Sequence, residues 1–309
     1  MTDLEFKPKF VERYSKLTDF DVFSRICGEY LRRSVRINTL KRPIAEVKKR
    51  LEKNWKLTPI PWCNEGFWVE SERRDIGNTL EHALGYIYVQ EAASMIPPLV
   101  LAPKPGETIL DMCAAPGSKA TQIAQYMKNQ GTLVANDYTG LRLRALGINI
   151  QRCGINNALI TRMFGHQFAK TGIKFDRVLV DAPCSGTGTI RKSWKTLRIW
   201  NPGMMRRLAA TQKKLVLSGF DSLRQGGTLV YSTCSLEPEE DEGVVDHLLR
   251  EREDAKIRGI ELDLKRSPAI MGFDGKDYVD EVKHCLRLWP QDNDTEGFFV
   301  AKIKNQTTP

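Results

Sequence analysis

From about residue 96 the chain alternates apolar runs of strand length with helical stretches, and this rhythm constrains the fold more than any other feature. Strands are expected over 108–113, 133–137, 158–163, 175–183 and 227–234, and helices over 117–128, 141–152, 204–223 and 239–250. Two late strands, 285–289 and 298–303, close the chain. Alternating βα units imply an α/β fold with a parallel, doubly wound, Rossmann-like sheet and right-handed crossovers. Ligands of such sheets sit at the carboxyl ends of the strands, around the point where strand order reverses. The loops that follow the strands are therefore where chemistry is to be sought.

Residues 1–85 follow another pattern: helical to about residue 30, an alternating strand over 34–40, a helix opened by Pro43, then short strands near 57–60 and 67–69. They are expected to form a small α+β module, with 78–95 leading into a second domain over 86–309. The net charge of +9 is segregated. Arg25 to Lys56 holds 11 basic and 3 acidic residues, Thr187 to Gln225 holds 9 and 1, and the remainder is net acidic. Two basic clusters flanking the strand-end loops suit a polyanion, since each Lys or Arg on a phosphate releases counterions. Seven cysteines without a C-x-x-C, and four histidines without metal-ligand spacing, suggest neither a disulfide framework nor a metal site. No apolar run is long enough to span a bilayer and the first residues lack a signal core, so a cytoplasmic protein is expected.

The first βα turn reads Asp111-Met-Cys-Ala-Ala-Pro-Gly-Ser-Lys119. It is neither G-x-G-x-x-G nor a P-loop, which argues against a dinucleotide enzyme and an NTPase. The next strand ends at Asp137, about 20 residues after the glycine turn, where an acid accepts hydrogen bonds from a ribose diol. It can equally cap the following helix. A glycine turn and a ribose acid without a pyrophosphate motif suggest a nucleoside cofactor of the S-adenosylmethionine type. Two further strands end in Asp181-Ala-Pro-Cys184 and Thr233-Cys234-Ser235, so two thiols should face one cleft. Buried packing or a redox pair are the competing readings. A thiolate beside a methyl donor has a specific use: adding to carbon 6 of cytosine, it turns the inert carbon 5 into an enamine carbon. Asp181 is placed to stabilise the charge at N3, and a second cysteine can assist removal of the carbon 5 proton.

With these residues assembled, the chain closely resembles the RNA cytosine-5 methyltransferases, the family of the bacterial 16S rRNA methylases and the Nop2/Sun proteins, and within it the archaeal tRNA-modifying type. DMCAAPGSK, ANDY, DAPCSGTG, STCSLEPEEDE and GFFVAKI match its motifs in order, and SVRINTLK and QEAASMIPPLVL match the segments before them. The resemblance implies a class I methyltransferase sheet behind a small RNA-recognition-like domain. It implies that Cys234 attacks, that Cys184 assists release, and that Asp181 lines the pocket between cofactor and base. Cys113, Ala114, Ala115, Pro116, Gly117, Ser118 and Lys119, with Asp137, Arg142 and Asp181, are implied to hold S-adenosylmethionine. The Lys119 ammonium is implied to meet either the donor's carboxylate or neighbouring groups.

In the N-terminal module the basic cluster at Arg32, Arg33, Arg36 and Lys41 is expected to meet RNA, as are Arg191 and Lys192 beyond the Cys184 loop. Trp55, Trp62 and Trp68 either stack on bases or fill the core. The family's acid for the adenine amino group is missing from Thr161-Arg-Met-Phe-Gly-His-Gln167, leaving backbone carbonyls or Gln167 for that contact. A compact monomer acting on tRNA is expected. Ribosomal RNA is the alternative substrate, and a non-catalytic RNA-binding scaffold the rival class.

Overall fold

The apolar runs of the second half do fold as strands, and their order creates the cleft. The computed structural model describes residues 5–72 and 75–306. The large sheet takes β5 (Thr108–Asp111), β6 (Thr132–Asn136), β7 (Ala158–Thr161), β8 (Phe175–Asp181), β9 (Leu223–Thr233), β10 (Ala255–Arg258), β13 (Leu286–Leu288) and β14 (Phe298–Asn305). Its order is β10–β14–β9–β8–β5–β6–β7, with β13 paired to β14. Strands β5 to β9 are parallel, joined through α6 (Ser118–Tyr126), α7 (Gly140–Cys153) and α9 (Pro202–Asp221). The order reverses at β5, which has β6 on one side and β8 on the other, so the ends of these three strands open into one crevice.

The sheet departs from the all-parallel expectation at its far edge. β14 runs antiparallel to β9, β10 and β13. A parallel return needs a crossover of a dozen or more residues, usually helical. Between β13 and β14 there is only the short α11 (Pro290–Asn293), and the pair closes as a hairpin. Helix α10 (Glu242–Glu251) leads instead to β10, which the sequence reading missed, as it did the small hairpin of β11 (Gly272–Phe273) and β12 (Lys276–Asp277).

In the N-terminal part, β1 (Arg33–Ile37), β2 (Lys56–Ile60), β3 (Cys63–Glu70) and β4 (Ile87–Val89) form an antiparallel sheet in the order β2–β3–β1–β4. Val35 and Ile37 on one face of β1 pack with Val47 and Leu51 of α3 (Ile44–Leu51). β4 comes from the stretch read as a connector, between α4 (Leu80–Ala83) and α5 (Ile96–Leu101). The first two helices, α1 (Pro8–Tyr14) and α2 (Phe20–Gly28), do not cover this sheet. Their Phe10, Tyr14 and Phe23 pack with Trp200, Leu236 and Trp289 of the large domain, beside α8 (Lys195–Ile199).

The other face of β1 docks on the large domain, and this corrects one expectation. Arg36 is 1% exposed and cannot reach RNA. Its guanidinium donates to Gln90 Oε1 (2.9 Å) and to Thr121 Oγ1 (2.9 Å) and Gln125 Oε1 on α6. Trp55, Trp62 and Trp68 are likewise buried and serve as core. Among the described residues no helix is long and apolar enough to cross a membrane.

Candidate active site

Register brings the two thiols together. β8 and β9 are parallel neighbours with Asp181 opposite Ser232. Cys184 follows three residues after Asp181 and Cys234 two after Ser232, so both emerge at the same height on the same edge. Their sulfurs lie 3.1 Å apart, in hydrogen-bond contact. The loops are fused by backbone, with Gly188 N–H donating to Cys234 O (2.9 Å) and Gly297 N–H to Gly188 O (2.9 Å). Cys113, Cys184 and Cys234 are half-buried, whereas Cys27, Cys63, Cys153 and Cys285 are buried packing.

Glu240, fully buried, ties the two cysteine loops to each other. It accepts from Ser185 N–H (2.9 Å), Gln212 Nε2 (2.8 Å) and Ser235 Oγ (3.2 Å). Burial raises its pKa against these hydrogen bonds. The acids beside it anchor the same loop. Arg287, with no exposed surface, pairs with Asp241 (3.0 Å) and Glu242, and its Nη1 donates to Leu236 O (3.1 Å). Glu237 accepts from Tyr14 (2.8 Å), Trp200 (2.9 Å) and Arg13 (2.7 Å). Sequence reasoning used this acidic run only as a motif. A run of acids ordinarily signals a solvated face, and nothing local announces that these turn inward.

Asp181 Oδ2 accepts from Lys119 Nζ at 2.7 Å, and Oδ1 from Ser232 Oγ at 2.8 Å. Of the two partners expected for Lys119, the neighbouring active-site group is the one in contact. Burial opposes the ammonium charge, but Asp181 outweighs it and the Lys119 pKa is raised. Asp111 lies behind this pair, 1% exposed. Burial first, and then the Asp181 charge, push its carboxyl up to about 8. Cys184 is raised well above a normal thiol, first by its hydrogen bond to Cys234, then by burial and the Cys234 charge.

Beside the pair of loops lies a cavity of about 400 Å³ whose lining includes Cys113, Asp137, Tyr138, Arg142, Phe164 and His166. The turn over Ala114 to Lys119 bounds the adjacent strand end, with Gly117 at φ 111°, a conformation open to glycine, leading into α6. Arg142 donates to Ala115 O and reaches Asp137 Oδ2 at 3.1 Å. Asp137 is 1% exposed. Its Oδ1 accepts from Thr139 N–H (2.9 Å), but Oδ2 is buried and out of line for any hydrogen bond. A carboxylate oxygen that is ion-paired to Arg142 but accepts no hydrogen bond, on a residue lining a cavity of this size, fits the ribose of an adenosyl cofactor. Where the family's adenine acid is missing, Phe164, Gly165 and His166 form the wall, with Phe164 stacked on Tyr138 at 6.0 Å. Gln167 is exposed and does not line the cavity.

The comparisons with known proteins meet this geometry. Residues 98–304 match the family model described as 16S rRNA methyltransferase RsmB/F. Residues 6–92 match that for the N-terminal domain of 16S rRNA methyltransferase RsmF. The chain belongs to the RsmB/F family. Its relatives include a tRNA (cytosine(49)-C(5))-methyltransferase of Pyrococcus abyssi, 49% identical over 97% of both chains. Another is the ribosomal RNA small subunit methyltransferase F of Aliivibrio salmonicida, 44% identical over 93% of this chain but 61% of that one. Among solved structures, a methyltransferase homolog protein from Pyrococcus horikoshii superposes with a TM-score of 0.84 at 34% identity, covering 97% of this chain and 99% of that one. The chain is thus an S-adenosylmethionine-dependent RNA cytosine-5 methyltransferase with a class I methyltransferase fold.

The expected RNA contacts separate in the structure. Lys41 and Lys192 are exposed, and Arg32 and Arg33 are half-buried at a cleft between the domains. Arg191 is not available. Its side chain has no exposed surface and holds Thr295 O (3.1 Å), Tyr30 O (2.9 Å) and Asp294 (2.7 Å), so it braces the cleft rather than gripping RNA.

Proposed function

We propose that this enzyme acts on tRNA through a covalent adduct between Cys234 and carbon 6 of the target cytosine, resolved with the help of Cys184. The observation that carries the reading is the 3.1 Å contact between the sulfurs. Either sulfur can donate across this contact; in this reading the proton stays on Cys184, whose pKa is raised by that hydrogen bond and by burial, and the Cys234 sulfur is the acceptor. Cys234 is then the free nucleophile. As it adds to carbon 6, the Lys119–Asp181 pair holds a proton at the N3 edge of the base and offsets the charge that addition creates. S-adenosylmethionine, held by the 113–119 turn, Asp137 and Arg142, supplies the methyl group that carbon 5 takes. Once Cys234 is a neutral thioether, the charge that held the proton on Cys184 is gone. Cys184 then gives its proton to solvent and its thiolate takes the carbon 5 proton. The carbon 5–carbon 6 double bond re-forms as the carbon–sulfur bond breaks, its electrons leave on Cys234 as thiolate, and the N3 proton returns to the Lys119–Asp181 pair.

The tRNA assignment is supported by a tRNA-modifying relative that matches over 97% of both chains. Division into an RNA-binding module and a methyltransferase domain belongs to this reading, with the boundary moved from residue 85 to beyond β4, whose Ile87–Val89 complete the module's sheet, as does a monomer working in the cytoplasm. The exposed Lys41, Lys49 and Lys53, with the half-buried Lys48 beside them, are given to the RNA in this reading.

The test is a pair of variants with labelled methyl donor. Cys234→Ala is expected to bind cofactor and transfer nothing. Cys184→Ala is expected to accumulate an enzyme–RNA adduct that survives a denaturing gel. An adduct from Cys234→Ala, with normal turnover in Cys184→Ala, would reverse the roles. Methylation of rRNA but not tRNA transcripts would overturn the substrate assignment.

A further inference from the structure

A second cavity, about 610 Å³, opens where the N-terminal sheet meets the large domain. Its lining includes Tyr30, Arg33, Glu91, Lys192 and Glu296, none of which the chemistry above uses. It abuts the catalytic loops: Glu296 precedes Gly297, which is bonded to Gly188, which is bonded to Cys234.

Its floor is a built polar site. Glu296 is 5% exposed, and its Oε1 has no hydrogen-bond partner, with Lys192 Nζ standing 3.8 Å away. Glu91 packs against it, Oε1 accepting the Glu296 N–H (3.2 Å) and Oε2 the N–H groups of Ala93 (2.7 Å) and Ser94 (3.1 Å). Burial raises both carboxyls, each further raised or lowered by its neighbours, and Glu91 reaches about 8. The walls are fixed by the buried Arg191 that braces Tyr30, Asp294 and Thr295. At the rim, the Tyr30 residue is 62% exposed and the Lys192 side chain 68%. An inward carboxylate acceptor, an aromatic rim and an exposed ammonium match the three parts of an unstacked nucleotide: amino edge, base face and phosphate.

We propose that this cleft holds one unstacked nucleotide of the RNA next to the target cytosine, with the amino edge of its base on Glu296 and its phosphate on Lys192. The site accepts adenine, guanine or cytosine, whose exocyclic amino groups donate, and disfavours uracil, which has none. The proposal rests on the enzyme methylating RNA and is independent of whether that RNA is tRNA or rRNA.

It is tested with the full-length enzyme and a set of separate transcripts of known sequence, one for each base at each of the two positions on either side of the methylated cytosine, reading the methylated fraction of each by bisulfite sequencing. Wild type is expected to select against uracil about 10-fold at one flanking position, the size of a good base-edge contact. Glu296→Met is expected to lose most of that selection while keeping its affinity for S-adenosylmethionine. Glu91→Gln, whose single oxygen can keep the Ala93 and Ser94 N–H bonds while its NH2 loses the one from Glu296, should narrow it to a few-fold. Lys192→Ala should raise KM for every sequence alike. Absence of a flanking preference in wild type, or its persistence in Glu296→Met, overturns the subsite and leaves RNA methylation standing. Failure of wild type to methylate any transcript would overturn both.

Discussion

Replacing Arg287 by Met tests whether the acidic run after Cys234 is held by one buried cation. In the native chain Arg287 spans Asp241, Glu242 and Leu236 O, and none of the three charged side chains has exposed surface. Methionine fills similar space but leaves two buried carboxyls without their cation. Removing one partner of a buried pair costs about 3–5 kcal/mol. With an unfolding entropy of roughly 2.1 cal/mol/K per residue, about 0.65 kcal/mol/K for this chain, that is a fall in Tm of about 5–8 °C by scanning calorimetry. The sign of the pH dependence follows from the acids. Burial already holds Asp241 well above the usual carboxylate range, with Arg287 pulling it back down, so the variant raises that folded-state pKa further. A carboxyl raised in the fold stabilises below its unfolded pKa and loses that contribution as pH rises toward the folded one. The deficit should therefore be smaller at pH 5 than at pH 8, and adding Glu242→Gln should recover part of it. A fall below about 2 °C, or a deficit that ignores pH, would refute the reasoning.

Three further outcomes follow from other contacts. Asp111→Asn should flatten the decline of stability between pH 4 and 8, because the raised Asp111 carboxyl favours the fold most at low pH; melting curves of both proteins across that window check it. Gly188→Ala should nearly abolish methyl transfer and destabilise by about 1–3 kcal/mol, since its Cβ would meet Gly297 O at 2.2 Å and Cys234 O at 2.8 Å; activity and a denaturant melt report the two effects. Phe164→Ala should weaken S-adenosylmethionine binding about 10-fold by titration calorimetry, the scale of one base–aromatic stack, if this ring replaces the absent adenine acid.

Much of the fold was legible because its signals are local. Buried parallel strands are continuous apolar runs, and the loops after them carry Asp, Pro, Gly and Cys at positions that strand geometry alone brings to one edge. That the thiols of Cys184 and Cys234 share a cleft therefore followed from strand neighbourhood, before any distance was known. The far edge was less legible. Nothing between residues 255 and 305 marks whether β14 returns parallel or antiparallel except the lack of a crossover helix. That absence weighs little in a sequence full of other βα units.

Charge was the signal most easily misread, and the reason is physical. In SVRINTL the alternation puts Arg36 on the face opposite Val35 and Ile37, which in an isolated module would be the wet face. Docking on α6 makes that face an interface, and the guanidinium spends its donors on Gln90, Thr121 and Gln125 instead of phosphate. Arg191 and Arg287 repeat the pattern, each closing carbonyls and carboxylates from segments far apart in sequence. Lysines on the same segments stay outside, as Lys41 and Lys192 do. Arginine's planar, always-charged fork suits several fixed acceptors, while an ammonium keeps its hydration and its freedom. In this enzyme Lys41 and Lys192 stay in solvent, and the buried Arg36, Arg191 and Arg287 hold the frame.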